Sequence, residues 1–426
     1  MFNLKKIHIY LVILLPFVLV TGPFLSNFFV SSFALISIYL INKKKNYTFY
    51  NNVYFKLFAL FCIYILINSL FSDYPRLSLE SSLFYFRFGF FVVGIIYILR
   101  YSYQEFCNKF FKVLFLAFII VALDGYVQSI FGINSLGWQS PVLNRLTGFF
   151  GNEQILGSYL VRLFPLATVA IIISLYNNYY LDYYLIFFLL FGFCIIVLTG
   201  ERSSAVLAII FITIFIFFNS LLSFKKILFT YFLVLISLLV IFTSNERMQG
   251  RLKNTVEGIY MKIDDTGNVK KSEKINIFTF DTESHYRSSY LMFLDNKIFG
   301  KGPKTFRKHC SNPKYNYDIH SCTTHPHNTY IQLLAETGII GFSFVFGLYL
   351  LLIIKLISLI KNKNNNKISK LNYNVQLCFL LCILINLFPL IPTGNFFNNY
   401  LSIFYYLPIG FYLYHNQKNF FKIKLK

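Results

Sequence analysis

Charge is scarce in this chain: only 13% of its 426 residues are Asp, Glu, Lys or Arg, about half of what soluble domains carry. With 56% hydrophobic residues beside so little charge, a soluble enzyme and a disordered chain are both excluded. Seven cysteines in this length exclude a small secreted module built on disulfides. Alternation of apolar and polar residues is missing as well, which argues against an outer-membrane barrel. There is no internal repeat and no Walker loop, so nothing points to an ATP-driven machine.

What is present is a series of long apolar runs and a mean hydropathy of +0.59. Twelve runs stand out, at about 7–25, 27–42, 53–71, 79–99, 110–128, 155–175, 181–199, 203–221, 226–243, 339–360, 373–392 and 398–414. Each suits a tilted bilayer helix, and backbone facing lipid must satisfy its own hydrogen bonds. Lys5 and Lys6 precede the first run as in a signal peptide, but only Thr21-Gly22-Pro23 follows it. The first span is therefore expected to be retained. The expected fold is all-α: a polytopic membrane protein of about 12 transmembrane helices with one long, partly helical outer loop. Residues 1–243 would hold helices 1–9, residues 244–338 the periplasmic loop, and residues 339–426 helices 10–12 with a cytoplasmic tail.

The 39 Lys and Arg exceed the 17 Asp and Glu by 22, and their positions explain why. With the N-terminus inside, 20 fall on the cytoplasmic side, among them Lys43, Lys44, Lys45, Lys361, Lys367, Lys418, Lys422, Lys424 and Lys426. Three fall in short outward loops: Arg76, Arg145 and Arg202. That asymmetry reads as membrane orientation rather than as a nucleic-acid surface. The high aromatic content, 20%, reads as a coding bias rather than a stacking platform.

The outward segment 244–338 holds ten of the 17 acidic residues and five of the seven histidines. A loop of this length is usually functional. Within it, Cys310 and Cys322 are expected to join in an oxidising compartment. Two free thiols, or a zinc site drawn from His309, Cys310, His320, Cys322, His325 and His327, remain alternatives, although the spacing fits no usual paired-ligand pattern.

Several charged or polar residues stand where a bilayer tolerates them poorly. Arg87 and Arg162 lie deepest, with Glu80 and Asp124 as possible partners; they form either a structural ion pair or a cationic cavity for an anionic lipid-linked substrate. Arg202 sits in the tight turn Thr199-Gly-Glu-Arg-Ser-Ser204, where a helix start beside a guanidinium suits phosphate. His327 lies where polar loop meets helix, after Pro326 and before Asn328, an expected N-cap. Asn328, Gln332 and Glu336 recur every four residues and share one face, and Gly338 and Gly341 permit close helix contact. A neutral imidazole held there can take a proton near pH 7.

His327-Asn328 followed by Gly338-Ile-Ile-Gly341 resembles the signature of the bacterial O-antigen ligase and O-antigen polymerase superfamily. The Thr199–Ser204 turn, and Arg287-Ser-Ser-Tyr-Leu-Met-Phe-Leu followed by Phe299-Gly-Lys-Gly302, are similar to further stretches of that family. The resemblance implies a membrane glycosyltransferase of the inner membrane, working without metal or cofactor at the periplasmic face. It would move a glycan from a polyprenyl diphosphate to an acceptor hydroxyl, either on lipid A-core or on a growing glycan. His327 would be the base, and Arg202 and Arg287 would hold the diphosphate. His325, Asn328, Gln332, Glu336, Arg162 and Arg87 would line the substrate. The outer segments contain no DxD-type motif, which agrees with a lipid donor rather than a nucleotide sugar. One long outer loop favours ligase over polymerase; a protein O-oligosaccharyltransferase and a transporter of lipid-linked glycan are the remaining alternatives.

Overall fold

The computed structural model describes residues 4–141, 145–263, 269–271, 278–316, 318–363 and 368–416. The low-complexity stretch around Lys367, and Lys418, Lys422, Lys424 and Lys426, lie outside the described residues. Among the described residues the regular elements are helices, apart from two three-residue antiparallel strands, Met261–Ile263 and Val269–Lys271, which pair Lys262 with Lys270.

The N-terminal run is broken rather than straight. Helices α1 (Leu4–Ile13) and α2 (Leu15–Val18), the latter continued by a single 3-10 turn to Thr21, meet at 54°. Pro16 stands in the first turn of α2, and a proline there removes an amide donor and bends the chain. Next come α3 (Pro23–Lys43), α4 (Val53–Leu70) and α5 (Pro75–Ser82). The runs at 79–99 and 110–128 are carried mainly by one helix, α6 (Arg87–Phe131), of 45 residues. Its 45 residues are more than one bilayer crossing needs. It breaks once, at Ser102, where φ is −143°.

Helices α7 (Leu156–Leu175), α8 (Leu181–Leu198), α9 (Arg202–Phe218) and α10 (Phe224–Ser244) follow. Among the described residues seven helices are long and apolar enough to cross a membrane, or eight if the bent N-terminal pair is one span. This establishes a multi-pass helical membrane protein, but by that criterion the count stops short of twelve. Two of the expected spans, α9 and α15 (Lys370–Asn386), have 17 residues each and fall just short of the length.

Buried surface separates centre from periphery. Most of α7 is buried, whereas in α10 only Thr230 and Val234 are. Helix α7 packs against α6, α8 and α15, and α6 packs against α3 and α16 (Asn399–Asn416). Aromatic rings fill this centre by stacking on one another: Phe411 of α16 lies 5.0 Å from Phe110 and 5.5 Å from Phe379. Whatever enriched these residues, the bundle uses them as core.

Outside the bundle, α11 (Glu246–Ile259), α12 (Phe280–Asp295) and the short α13 (Phe306–His309) make up the polar segment, which feeds into α14 (Thr329–Lys361). Helix α14 is kinked at Gly338, with φ +61° and ψ −167°. The segment 297–302 occupies that kink. Ile339 N–H donates to Lys297 O at 2.8 Å, Lys301 N–H to Ala335 O at 3.0 Å and Gly302 N–H to Glu336 O at 2.7 Å. Backbone groups freed by the break thus find partners in the loop, as buried backbone must.

Candidate active site

Asn328 caps α14 as its position suggests, accepting from Tyr330 N–H at 2.9 Å and Ile331 N–H at 3.1 Å. Immediately before it, His327 takes φ +55°, a left-handed conformation uncommon for a residue with a side chain. The loop after α15 holds this turn from behind, since Thr393 N–H donates to His327 O at 2.8 Å.

Three imidazoles meet here. The rings of His325 and His327 lie 4.2 Å apart, and that of His285 lies 5.5 Å from His327. His285 belongs to α12, and sequence reasoning missed it. Burial lowers the pKa of His327 below its usual value. Burial first, and then neighbouring His327, bring His325 to about 3 and His285 to about 4. All three are therefore neutral near pH 7, the form in which an imidazole accepts a proton. Arg307 of α13, also missed, lies within electrostatic reach of His325. Neither residue had a periodic or motif signal; only packing of the outer segment brings them in.

The polar stripe on α14 is real, but its groups face protein. Glu336 accepts from Lys304 N–H at 2.8 Å, Phe306 N–H at 3.0 Å and Gln332 Nε2 at 2.9 Å. Gln332 also donates to Asn395 Oδ1 at 3.0 Å and accepts from Phe396 N–H at 2.9 Å. Gln332 and Glu336 are fully buried. The stripe buttresses the loops at 302–306 and 389–396 that flank the imidazoles.

Arg202 is connected to the imidazoles only through a shared charged neighbour. Asp281 of α12 is within electrostatic reach of both Arg202 and His285, and its Oδ1 is 3.0 Å from His320 Nδ1. Arg202 opens α9 and donates to Thr255 Oγ1 at 3.0 Å. Neither Ser203 nor Ser204 caps that helix; Ser204 donates instead to Glu201 Oε2 at 2.9 Å. Arg287 is not brought to the imidazoles. Two residues from His285 on a helix, it points about 200° away, pairs with Glu283 at 2.7 Å and lines a groove with Tyr290, Ile331 and Leu334.

The two deep arginines find neutral partners rather than Glu80 or Asp124. Arg162 donates to Asn386 Oδ1 at 2.6 Å and Ser158 Oγ at 3.1 Å, buried in the bundle. Arg87 donates to Phe84 O at 2.9 Å. Asp124 accepts from Ser135 N–H at 2.8 Å.

Cys310 and Cys322 are joined in a disulfide, Cα to Cα 4.9 Å, so their thiols are not free for zinc. Among the described residues no group of three or more His, Cys, Asp or Glu is arranged to hold a metal ion.

Residues 186–346 match the family model for O-antigen ligase. Over this stretch the chain is similar to O-antigen ligases. The match runs from α8 into α14, taking in the Arg202 turn, the polar segment, the imidazole cluster and the kink at Gly338. That similarity supports an O-antigen ligase-type or polymerase-type function and a membrane glycosyltransferase-like enzyme. No curated protein matches the chain in sequence.

Proposed function

We propose that this O-antigen ligase-type protein transfers a glycan from a polyprenyl diphosphate to an acceptor hydroxyl of lipid A-core, at the periplasmic face of the inner membrane. The observation that carries the reading is the neutral imidazole cluster centred on His327, strained into place at the start of α14.

His327 takes the acceptor's hydroxyl proton as the oxygen bonds to the anomeric carbon. The carbon–oxygen bond to the diphosphate breaks, its electron pair staying with the leaving phosphate oxygen. Arg202 meets that charge. Arg287 approaches from the α12–α14 groove, exchanging Glu283 for a phosphate oxygen. His325 and Asn328 shape the space around the acceptor. Gln332 and Glu336 act one step removed, by fixing the loops, and Arg162 by tying α7 to α15 in the bundle below; Arg87 holds only its own turn. The transfer needs side chains alone, without metal or cofactor.

Twelve spans with both ends inside support the same orientation. The count is reached when the bent N-terminal pair is one span, Pro75–Phe131 is two joined near Ser102, and α9, α15 and α16 each cross. Domain limits at 243 and 338 then bound the outer segment.

The test is transfer in membranes, supplied with lipid-linked glycan and lipid A-core. His327→Ala should lower the rate by roughly 10²–10⁴-fold, with normal protein level, while His325→Ala keeps substantial activity. Arg202→Lys and Arg287→Lys should fail, because lysine lacks the planar fork. Normal transfer by His327→Ala would overturn the base assignment. Elongation on the lipid carrier, with none onto lipid A-core, would assign a polymerase.

A further inference from the structure

Helix α11 touches the ends of several membrane helices in succession along its length. Arg247 Nη2 donates to Ser129 O at 2.9 Å, near the end of α6. One turn on, Arg251 Nε donates to Gly200 O at 3.2 Å, in the turn between α8 and α9. One turn further, Thr255 Oγ1 accepts from Arg202 Nη1 at 3.0 Å, at the start of α9. The N-terminus of α11 follows the end of α10 after a single residue, Asn245, whose side chain caps α11 by accepting from Met248 N–H at 3.3 Å. A helix of 14 residues, about 21 Å long, that meets these ends one after another lies across the bundle and not along it.

Those ends mark a membrane surface. Helix α10 has 21 residues, or about 32 Å, the thickness of one hydrocarbon core. Leu235, Leu239 and Val240 in its second half are exposed. Ile130 and Phe131, next to Ser129 at the end of α6, are exposed as well. Apolar side chains stand open up to the level that α11 crosses, so lipid reaches that level.

On α11 itself, Arg247, Arg251 and Thr255 form the row that grips the helix ends, and Met248, Leu252 and Val256 form the next row. Met248 is buried at the α10 end of this row, whereas Leu252 is 52% and Val256 46% exposed. Glu246, Lys253, Asn254 and Glu257 occupy the other side and are exposed. Scattered exposed apolar residues are ordinary on a soluble helix. Here they share one side of a helix that rests at the lipid boundary, with polar residues opposite.

We propose that α11 is an in-plane amphipathic anchor whose partner is the lipid surface, with Leu252 and Val256 seated among acyl chains. The bilayer then holds α11 against the ends of α6 and α9 and braces the turn that carries Arg202. The inference is independent of the glycosyl-transfer reading, since it concerns where α11 rests and not what the site does.

Tryptophan fluorescence tests it, because Trp138 is the chain's one tryptophan and Trp138→Phe clears the background. In that background Leu252→Trp and Val256→Trp place an indole on the apolar row, and Asn254→Trp and Glu257→Trp place one on the polar side. Full-length protein goes into phosphatidylcholine nanodiscs with and without bromine on the acyl chains, and bromine quenches indole only on close approach. An interfacial helix sinks its apolar face about 5–10 Å into the headgroup and acyl boundary. The first two variants should therefore lose about half of their fluorescence or more, and the other two little. Melting temperature is read for every variant, and Val256→Trp decides if Leu252→Trp fails to fold. Equal quenching on the two sides, or none at either apolar position, overturns the anchor. Unquenched apolar positions together with a dimer in detergent would give this face to a second copy of the chain instead.

Discussion

Gly338→Ala tests the joint between the outer segment and the bundle. At φ +61° and ψ −167° the backbone lies in a region that only glycine occupies readily, and any other residue costs about 1–3 kcal/mol there. A Cβ would also sit 2.2 Å from Ile298 O, 2.4 Å from Ile298 C and 2.6 Å from Phe299 N. All three are backbone atoms, so no side chain can swing aside, and overpacking of this kind adds about 1–3 kcal/mol. The sum, about 2–6 kcal/mol, is a large part of the 5–15 kcal/mol that typically separates folded from unfolded. With an unfolding entropy of about 2.1 cal/mol/K per residue, it lowers the melting temperature by roughly 2–7 °C. Gly300→Ala should behave similarly, because its Cβ would lie 2.5 Å from Glu336 C and 2.6 Å from Gly338 N, facing the same kink. Gly347→Ala is the control: nothing lies within 4 Å of its Cβ and its φ is helical, so it should be neutral or gain up to about 1 kcal/mol. Thermal unfolding in detergent reads all three. If Gly338→Ala melts with wild type, the loop does not depend on the kink and the reasoning fails.

The disulfide closes a short loop, with Cys310 and Cys322 twelve positions apart. Reduction should cost about 3 kcal/mol by chain entropy, and thiol labelling of folded, unreduced protein should miss both residues; full labelling would reject the bond. His285 and His325 titrate at about 4 and 3 in the folded chain, below the 6.5 of the unfolded chain. Unfolded protein therefore binds more protons below pH 6.5, and these groups withdraw stability as pH falls from 6.5 through those values. The double variant His285→Gln, His325→Gln should lose less melting temperature than wild type between pH 7 and pH 4.5, and an identical slope would refute this. For topology, a reporter active only outside the cytoplasm should be active when fused near residue 260 and silent near residue 362. The reverse at either point would overturn the orientation.

Local chemistry was the legible part of this chain. The cap by Asn328 and the face shared by Asn328, Gln332 and Glu336 follow from spacing within a few residues. Apolar runs located most helices, and the gap between the runs at 79–99 and 110–128 holds the break at Ser102 in α6. Partners at long range were invisible. Arg162 bonds Asn386, 224 positions away, where a carboxylate had been the obvious guess. His285 reaches His327 only because α12 folds back along α14, and a single histidine in a polar helix carries no signal of that. The stripe on α14 was seen, but its direction was not: periodicity gives a face, and only tertiary packing decides whether loops or substrate cover it.

The joint at the α14 kink also dictates an order of manufacture. Asn68 Nδ2 donates to Phe299 O at 2.6 Å across 231 positions, and Tyr64 hydroxyl donates to Thr337 O at 2.5 Å across 273. At about 5–20 residues per second, a ribosome needs roughly 12–46 s to make the partner of Asn68 after Asn68 itself emerges. Throughout that interval the Asn68 amide and the Tyr64 hydroxyl at the end of α4 wait for these partners. The imidazole cluster thus assembles only once α14 begins to emerge, and a nascent chain arrested before α14 lacks it.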